Sequence, residues 1–185
     1  MSFETNRILS GVGAIFIALG SFFPFLSLVG IVLLLIGMRG LSFFYDRWSI
    51  FQNALYGFIF SIVGVIAYII LFLGFFGIFS VVTSVGPGPA PSGPRIFATG
   101  IFILFIVGVF IFYILHAVFY RRAFNILADV SGVSIFRTSG LLLLIGSALT
   151  IILVGFVLLF VAWILAAVGF FSMRMRAGEL PDNKV

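Results

Sequence analysis

The chain contains no cysteine, which excludes disulfides, thiolate nucleophiles and cysteine-ligated metals. Its single histidine, His116, cannot form a metal site without partners. Acidic residues are also scarce, and none of the five lies within an apolar run: Glu4, Asp46, Asp129, Glu179 and Asp182. Proton and cation pumps usually carry a carboxylate at membrane depth, so this scarcity argues against a pump. We therefore expect no metal and no cofactor.

What the chain has in abundance is apolar sequence. Hydrophobic residues make up 63% of the 185 residues and charged residues only 8%, whereas about a quarter of residues are charged in soluble proteins. Two nearly uncharged runs, 48–85 and 96–120, each exceed the roughly 20 residues that cross a bilayer. The pattern predicts an all-α integral membrane protein in which residues 1–185 form one multi-pass domain.

A stretch rich in glycine and proline, residues 86–95, separates two apolar halves, 1–85 and 96–185. Proline lacks the amide donor that helices and sheet ladders need, and four prolines fall within these ten residues. We therefore predict a loop that joins the two halves.

The apolar runs at 8–38 and 141–171 fit either one long kinked span or a hairpin of two short helices. Cytoplasmic flanks carry an excess of Lys and Arg. If both runs are hairpins, nine of the ten basic residues share one face and only Arg95 lies on the other; two single spans would divide them five and five. The hairpin interpretation predicts six helices in the cell membrane with both termini cytoplasmic, and four long kinked spans are the alternative. The six helices are predicted at 8–22, 25–44, 48–84, 96–130, 138–152 and 155–173.

The predicted helices differ greatly in length. A hairpin helix of about 16 residues rises only about 24 Å against a hydrocarbon core of about 30 Å, so thinning of the bilayer or partial insertion should follow. The third and fourth helices, at about 35 residues, should protrude by about 20 Å on the inner side. Their protruding ends would be amphipathic, with apolar side chains that need cover: Trp48, Phe51, Phe124 and Leu127.

Most polar side chains near these helices fall at the same inner ends, which predicts a contact surface there. The candidate residues are Asp46, Arg47, Gln52, Asn53, His116, Arg121, Arg122, Asn125 and Asp129. Asp46 with Arg47, and Arg121 with Asp129, could form an ionic cluster that holds a partner or a lipid head group, but ordinary solvated helix ends are the favoured interpretation. His116 lies among aromatic residues, where a hydrogen-bonded interface role is favoured over a quinone-contacting or proton-coupled one.

Small residues recur at spacings that let helices approach closely. We assign helix packing within the bundle, with homo-oligomerisation as the second use, to Gly57, Ser61, Gly64, Ala162 and Ala166. The two hairpins also resemble each other, since residues 28–34 read LVGIVLL and residues 153–159 read LVGFVLL. They are therefore either a duplicated unit or two similar packing hairpins.

Residues 49–57 (SIFQNALYG) open a long span, and residues 169–172 (GFFS) close the last one. With these segments the chain resembles the archaeal membrane family catalogued as domain of unknown function family 996, over nearly its whole length. The resemblance implies a polytopic membrane fold. It implies no activity and no site residues.

Function is therefore limited by what the sequence excludes. The chain has no phosphate-binding loop, no paired catalytic carboxylates and no serine-triad spacing, and its basic residues form no nucleic-acid-binding face. We expect a non-catalytic multispanning protein that packs, as a structural or accessory subunit, against a larger membrane complex, for example a respiratory one. A small-solute or ion transporter or channel is the alternative, and a quinone- or lipid-binding protein around His116 is the second alternative.

Overall fold

The structure, a computed structural model, describes residues 2–20, 22–84, 92–151 and 154–174, and these residues are helical apart from short turns. A single 3₁₀ turn, Leu149–Ile151, follows the fifth helix. The prediction of an all-α fold with six helices is confirmed. The helices are α1 (Phe3–Leu19), α2 (Pro24–Phe44), α3 (Trp48–Ser84), α4 (Ser92–Ser131), α5 (Ile135–Ala148) and α6 (Val154–Ser172).

Both ambiguous apolar runs are hairpins, and the alternative of single kinked spans is wrong. Pro24 occupies the first turn of α2, where its missing N–H would have had no helical partner. The chain reverses just before it, with the amides of Phe22 and Phe23 both bonded to the Leu19 carbonyl at 2.9 and 3.1 Å. The first apolar run therefore folds back on itself as α1 and α2.

The two hairpins close at equivalent glycines of their matching segments. A Cβ atom on Gly30 would lie 2.7 Å from the Gly13 carbonyl oxygen of α1, so only glycine lets α1 and α2 cross this closely. In the second hairpin a Cβ atom on Gly155 would lie 2.5 Å from the Gly146 carbonyl oxygen. The likeness that the sequence suggested therefore extends to the packing of the hairpins.

The six helices form a ring in chain order, and α6 returns to α1. At that closure the Arg7 Nη1 atom donates to the Met173 carbonyl at 2.6 Å. An aromatic cluster fills the space between α4, α5 and α6, with ring centroids of neighbouring members 4.9 to 6.2 Å apart. The members of this cluster are Tyr120, Phe124, Phe136, Trp163 and Phe170.

α3 and α4 are much longer than the hairpin helices, and they extend beyond the hairpins at the opposite end from the one predicted. Turns of three residues, 45–47 and 132–134, join α2 to α3 and α4 to α5, so the helices end at one level there. Because α3 has 37 residues and α2 has 21, about 24 Å of α3 extends beyond the tip of the first hairpin. We call the extending parts, residues 69–84 of α3 and 92–110 of α4, the arm.

The predicted need for external cover at the inner end is also wrong for two of the four apolar residues. Phe124 and Leu127 are both 0% exposed, because the α5–α6 hairpin packs over this end of α4. The Phe124 ring meets the rings of Phe136 and Phe170 at 5.9 and 6.2 Å. Trp48 remains exposed and Phe51 is half-buried.

Three helix starts differ from their predicted positions by three residues or more, and one of them is that of α5, which begins at Ile135 rather than at residue 138. α1 begins at Phe3 rather than at residue 8, because the Ser2 hydroxyl accepts the Thr5 amide at 3.3 Å and caps the helix. α4 begins at Ser92, inside the predicted loop 86–95, and Pro94 is tolerated in its first turn. Residues 86–91, with Glu179 and Asp182, lie outside the described residues.

The helices have the dimensions of a multi-pass membrane protein. Four segments are long and apolar enough to cross a bilayer: Phe25–Phe44, Trp48–Gly77, Phe102–Ser131 and Val154–Ser172. α5 and α1, with 14 and 17 residues, are shorter than these segments.

Candidate functional site

The structure distributes the predicted contact residues over three separate places. Four of them, Asp46, Arg47, Gln52 and Asn53, lie at the α2–α3 turn and the start of α3. His116 lies between α3 and α4. The others lie near the inner end of α4: Arg121, Arg122, Asn125 and Asp129.

At the α2–α3 turn, Asp46 has a structural role. Its φ angle is 49°, in the left-handed region, and the amide of Arg47 bonds back to the Ser42 carbonyl at 2.9 Å. This is the hydrogen bond of a Schellman motif, which ends a helix by satisfying a free carbonyl. No ion pair joins Asp46 to Arg47, because both serve the turn and remain exposed, so that predicted pair is wrong.

The start of α3 does not gather its polar side chains into a site either. The side-chain amide of Asn53 donates a hydrogen bond to the Ser49 carbonyl of its own helix at 2.7 Å. Gln52 is exposed. Neither residue lines either of the two grooves described below.

His116 serves the α3–α4 interface. Its Nδ1 atom lies 3.0 Å from the Gly57 carbonyl oxygen, which accepts the hydrogen bond. The imidazole lies 6.0 Å from the Tyr113 ring and 4.8 Å from the Tyr120 ring. A Cβ atom on Gly57 would come within 2.6 Å of the Tyr120 ring, so this glycine allows the approach of α3 to α4. The contacts are those of a hydrogen-bonded interface histidine.

The polar end of α4 lines a groove against α5, which we call the inner groove. Its volume is about 460 Å³, and its lining consists of Arg121, Asn125, Asp129, Arg137, Thr138 and Leu141. A Cβ atom on Gly140 would lie 3.1 Å from the Arg121 Cα atom, so glycine lets α5 lie directly against the base of the arginine side chain. The inner groove therefore brings together three predicted residues with three others.

The charges in the inner groove are paired differently from the prediction. The Arg137 Nη2 atom donates to the Asp129 Oδ1 atom, so the predicted pair of Arg121 with Asp129 is wrong. Arg121 and Asp129 are eight residues apart on one helix, about 12 Å along the axis, whereas Arg137 faces Asp129 from α5. Within the described ranges Arg121 has no ion pair and no hydrogen bond, which leaves the groove with one unpaired positive charge.

Sequence reasoning missed Arg137 and Thr138 as members of the groove. Arg137 had counted only as a marker of the cytoplasmic face. Its contact with Asp129 depends on the rotation of α5 about its axis, which a local pattern does not give. Arg122, by contrast, stays outside the groove, with its guanidinium 5.6 Å from the Phe119 ring centroid.

The residues assigned to helix packing are placed inside the bundle. Gly57, Gly64, Ala162 and Ala166 are buried, and the Ala162 carbonyl accepts a hydrogen bond from Ser139 at 2.8 Å. Ser61 is half-buried and donates to the Phe58 carbonyl of its own helix at 2.7 Å.

Three glycines of the arm were not assigned to helix packing from the sequence. Unlike Gly57, they have open space beside them. Nothing lies within 4 Å of a Cβ atom added to Gly74, Gly100 or Gly108, all on the arm. The sequence did contain an indication of a helix-packing surface here, because Gly100 and Gly108 are eight residues apart and lie on the same side of α4.

Comparison with known proteins identifies relatives without describing their activity. A family model described as a protein of unknown function (DUF996) matches residues 26–164. An uncharacterised protein of Methanocaldococcus jannaschii is 29% identical over 180 residues, covering 94% of each chain. No solved structure matches the chain.

Proposed function

Because the chain belongs to the DUF996 family, whose function is unknown, we propose its role from geometry: a non-catalytic membrane protein that binds another membrane protein through its arm. In this role it is a structural or accessory subunit of a larger membrane complex. The occupant of the arm surface is an apolar transmembrane helix of that partner.

The observation that carries this proposal is the set of open glycines on the arm. Glycine in a helix interior costs about 1 kcal/mol relative to alanine. Gly57 and Gly30 recover that cost by close helix contacts within the chain. Gly74, Gly100 and Gly108 make no such contact. A partner helix would supply the missing contact, since small residues let transmembrane backbones approach.

The surface around Gly108 has a shape that suits a helix. An apolar groove of about 260 Å³ lies there, lined by Ala67, Leu104, Phe105, Gly108, Val109 and Phe112. Leu104 is 73% exposed at one edge. Gly100 lies outside the groove, but Gly100, Leu104 and Gly108 follow each other at four-residue spacing, so the surface beyond the groove continues along α4 towards a second open glycine.

The interior of the bundle supports a contact role over transport. A solute path would run through the interior of the ring, which is filled by the aromatic cluster of α4, α5 and α6 together with buried aliphatic side chains of α2 and α3, among them Leu34, Met38 and Ile50. The inner groove and the groove at Gly108 are both open at the surface, and neither runs through the bundle. A transporter would need a polar path through the bundle, which these contacts do not provide.

A test of the arm uses photocrosslinking in native membranes. A photoreactive residue at Leu104 should give one discrete heavier adduct, because this side chain lies at the edge of the groove. The same residue at Phe156, an exposed position on α6, should give none. Adding Gly108→Leu should remove the Leu104 adduct, because the leucine fills the groove.

The matched control for Gly108→Leu is Ile106→Phe, which enlarges an exposed side chain on the face of α4 opposite to Gly100, Leu104 and Gly108. That variant should keep the adduct. Equal adducts in both variants, with both proteins folded, would refute the proposal. An adduct of twice the mass of the chain would assign the arm to a second copy instead of a different protein.

A further inference from the structure

We propose that the inner groove binds the phosphate group of an anionic membrane lipid. This site is independent of the partner contact on the arm. It uses the two arginines of the groove, Arg121 and Arg137, and the polar side chains of Asn125 and Thr138.

The first argument is unused hydrogen-bonding capacity. In the described part of the chain, the side chains of Arg121, Asn125 and Thr138 make no hydrogen bond, yet all three line one cavity. A guanidinium group suits a phosphate, because its planar N–H groups can bind two phosphate oxygens at once. Amide and hydroxyl donors complete such a site.

The second argument is the charge around the cavity. Asp129 is paired with Arg137, so its carboxylate is neutralised and Arg121 supplies the net positive charge. Arg137 and Thr138 also lie in the first turn of α5. A helix N-terminus carries about half a positive charge, which favours an anion there. The groove therefore attracts a singly charged phosphate diester.

The third argument is position, and it selects a lipid over a soluble phosphate. α5 leads away from the polar end of the groove, and its exposed side chains become apolar within one turn: Leu141 and then Ile145 are about 40% exposed. They lie three and seven residues beyond Thr138, on the same helix face. A phosphate beside Arg121 would thus have an apolar surface next to it for the acyl or isoprenoid chain.

The volume is consistent with this ligand. A cavity of about 460 Å³ is in the range of small-molecule sites and holds a glycerol phosphate head group, while the lipid chains remain outside along α5. Gly140 allows α5 to lie this close to α4 beside the groove, because a side chain there would contact Arg121.

The experiment measures phosphatidylglycerol bound to the purified full chain by native mass spectrometry, with phosphatidylcholine as the neutral comparison. Arg121→Gln should weaken phosphatidylglycerol binding about tenfold, because it removes a charge-assisted contact. Asp129→Asn should strengthen binding about threefold, since it releases Arg137 and removes a negative charge. The matched control is Arg47→Gln, an exposed arginine outside the groove, which makes the same change in net charge and should have no effect.

Three outcomes would overturn the proposal. The first is an equal loss in Arg121→Gln and Arg47→Gln, which would mean that only overall charge matters. The second is weaker binding in Asp129→Asn, because a merely structural ion pair would behave in that way. The third is displacement of the lipid by inorganic phosphate at constant ionic strength, which would assign the groove to soluble phosphate. If Arg121→Gln fails to fold, Thr138→Val provides the test, with an expected loss of about threefold and no loss as refutation.

Discussion

A nitroxide label at the tip of the first hairpin is expected to lie inside the hydrocarbon layer, short of its far surface. The label is attached through a cysteine introduced at Phe22, which is simple because the natural chain has no cysteine. If the hairpin instead crossed the whole bilayer, its turn and the attached label would be exposed to water.

The depth follows from helix lengths. Arginines mark one edge of the hydrocarbon layer, at Arg39 on α2 and Arg121 on α4. Pro24 begins α2 15 residues before Arg39, about 22 Å away along the axis, so the tip stops about 8 Å short of a 30 Å layer. The second hairpin is shorter, since α5 and its 3₁₀ turn rise about 18 Å from Gly140, which lies beside Arg121.

The surface of the tip agrees with this depth. Phe22 and Phe25 are 69% and 83% exposed, and the turn carries no charge. Non-helical backbone inside a membrane must satisfy its amides within the protein. The amides of Phe22, Phe23 and Leu26 all bond to nearby carbonyls, at 2.9 to 3.1 Å.

The assay is power-saturation electron paramagnetic resonance in lipid vesicles, with oxygen and a water-soluble nickel complex as relaxing agents. Ile70 on α3 is the depth reference. Leu55 lies at about the level of Arg121, because Gly57 faces Tyr120. Ile70 is about 22 Å further along α3 and should therefore show the same depth as Phe22. Labels at Ser134 and Ser92 should be accessible to nickel. A Phe22 label as accessible to nickel as Ser134 would refute the partial insertion.

Three further outcomes concern folding, measured by thermal unfolding in detergent. Asp46→Gly should raise stability by up to about 1 kcal/mol, because glycine adopts a positive φ without strain, and any loss of stability would show that the carboxylate matters. Phe124→Ala should lower the free energy of unfolding by about 3 to 5 kcal/mol, because this ring is fully buried. Phe76→Ala on the arm should lower it by less than about 0.5 kcal/mol, because that ring is exposed, and equal losses would contradict the packing described. His116→Gln should leave folding near normal, since an amide N–H can donate to the Gly57 carbonyl, and loss of the folded state would contradict this.

Helix number and most helix limits followed from the sequence because they depend on local chemistry. Apolar runs set the spans, and the distribution of arginines distinguished hairpins from kinked spans. The start of α4 was placed too late, since proline was counted as a helix breaker although Pro94 lies in the first turn. Such errors affect the limits of a helix and leave its existence unchanged.

The direction of the surplus length was wrong for a different reason. Polar residues at the inner ends of α3 and α4 suggested segments that protrude into water. The structure shows that these ends do not stand alone: they pack within the six-helix bundle, which buries Phe124 and Leu127 on their inward side. Amphipathic sequence looks the same in both cases, because only the neighbouring hairpins decide what the apolar face meets.

The inner groove depended still more on tertiary contacts. Arg121, Asn125 and Asp129 were predicted together because they repeat at four-residue spacing on one helix. Arg137 joined them only through the close approach at Gly140, where α5 lies against the Arg121 backbone. The sequence therefore predicted the half of the site that lies on α4 and missed the half on α5.

Partial insertion of the hairpins and the open glycines of the arm have a common geometric consequence. If the hairpins insert only partly, as the label at Phe22 tests, six helices lie at the arginine end of the hydrocarbon layer and two at the other, a difference of about 300 Å² if each helix occupies about 80 Å². Lipid chains could fill this space, but they are mobile and would not compensate for Gly100 and Gly108. A helix of another protein would occupy part of this space and pack on both glycines. The shape of the bundle thus favours a protein beside the arm, and Gly108→Leu tests the contact that distinguishes the two cases.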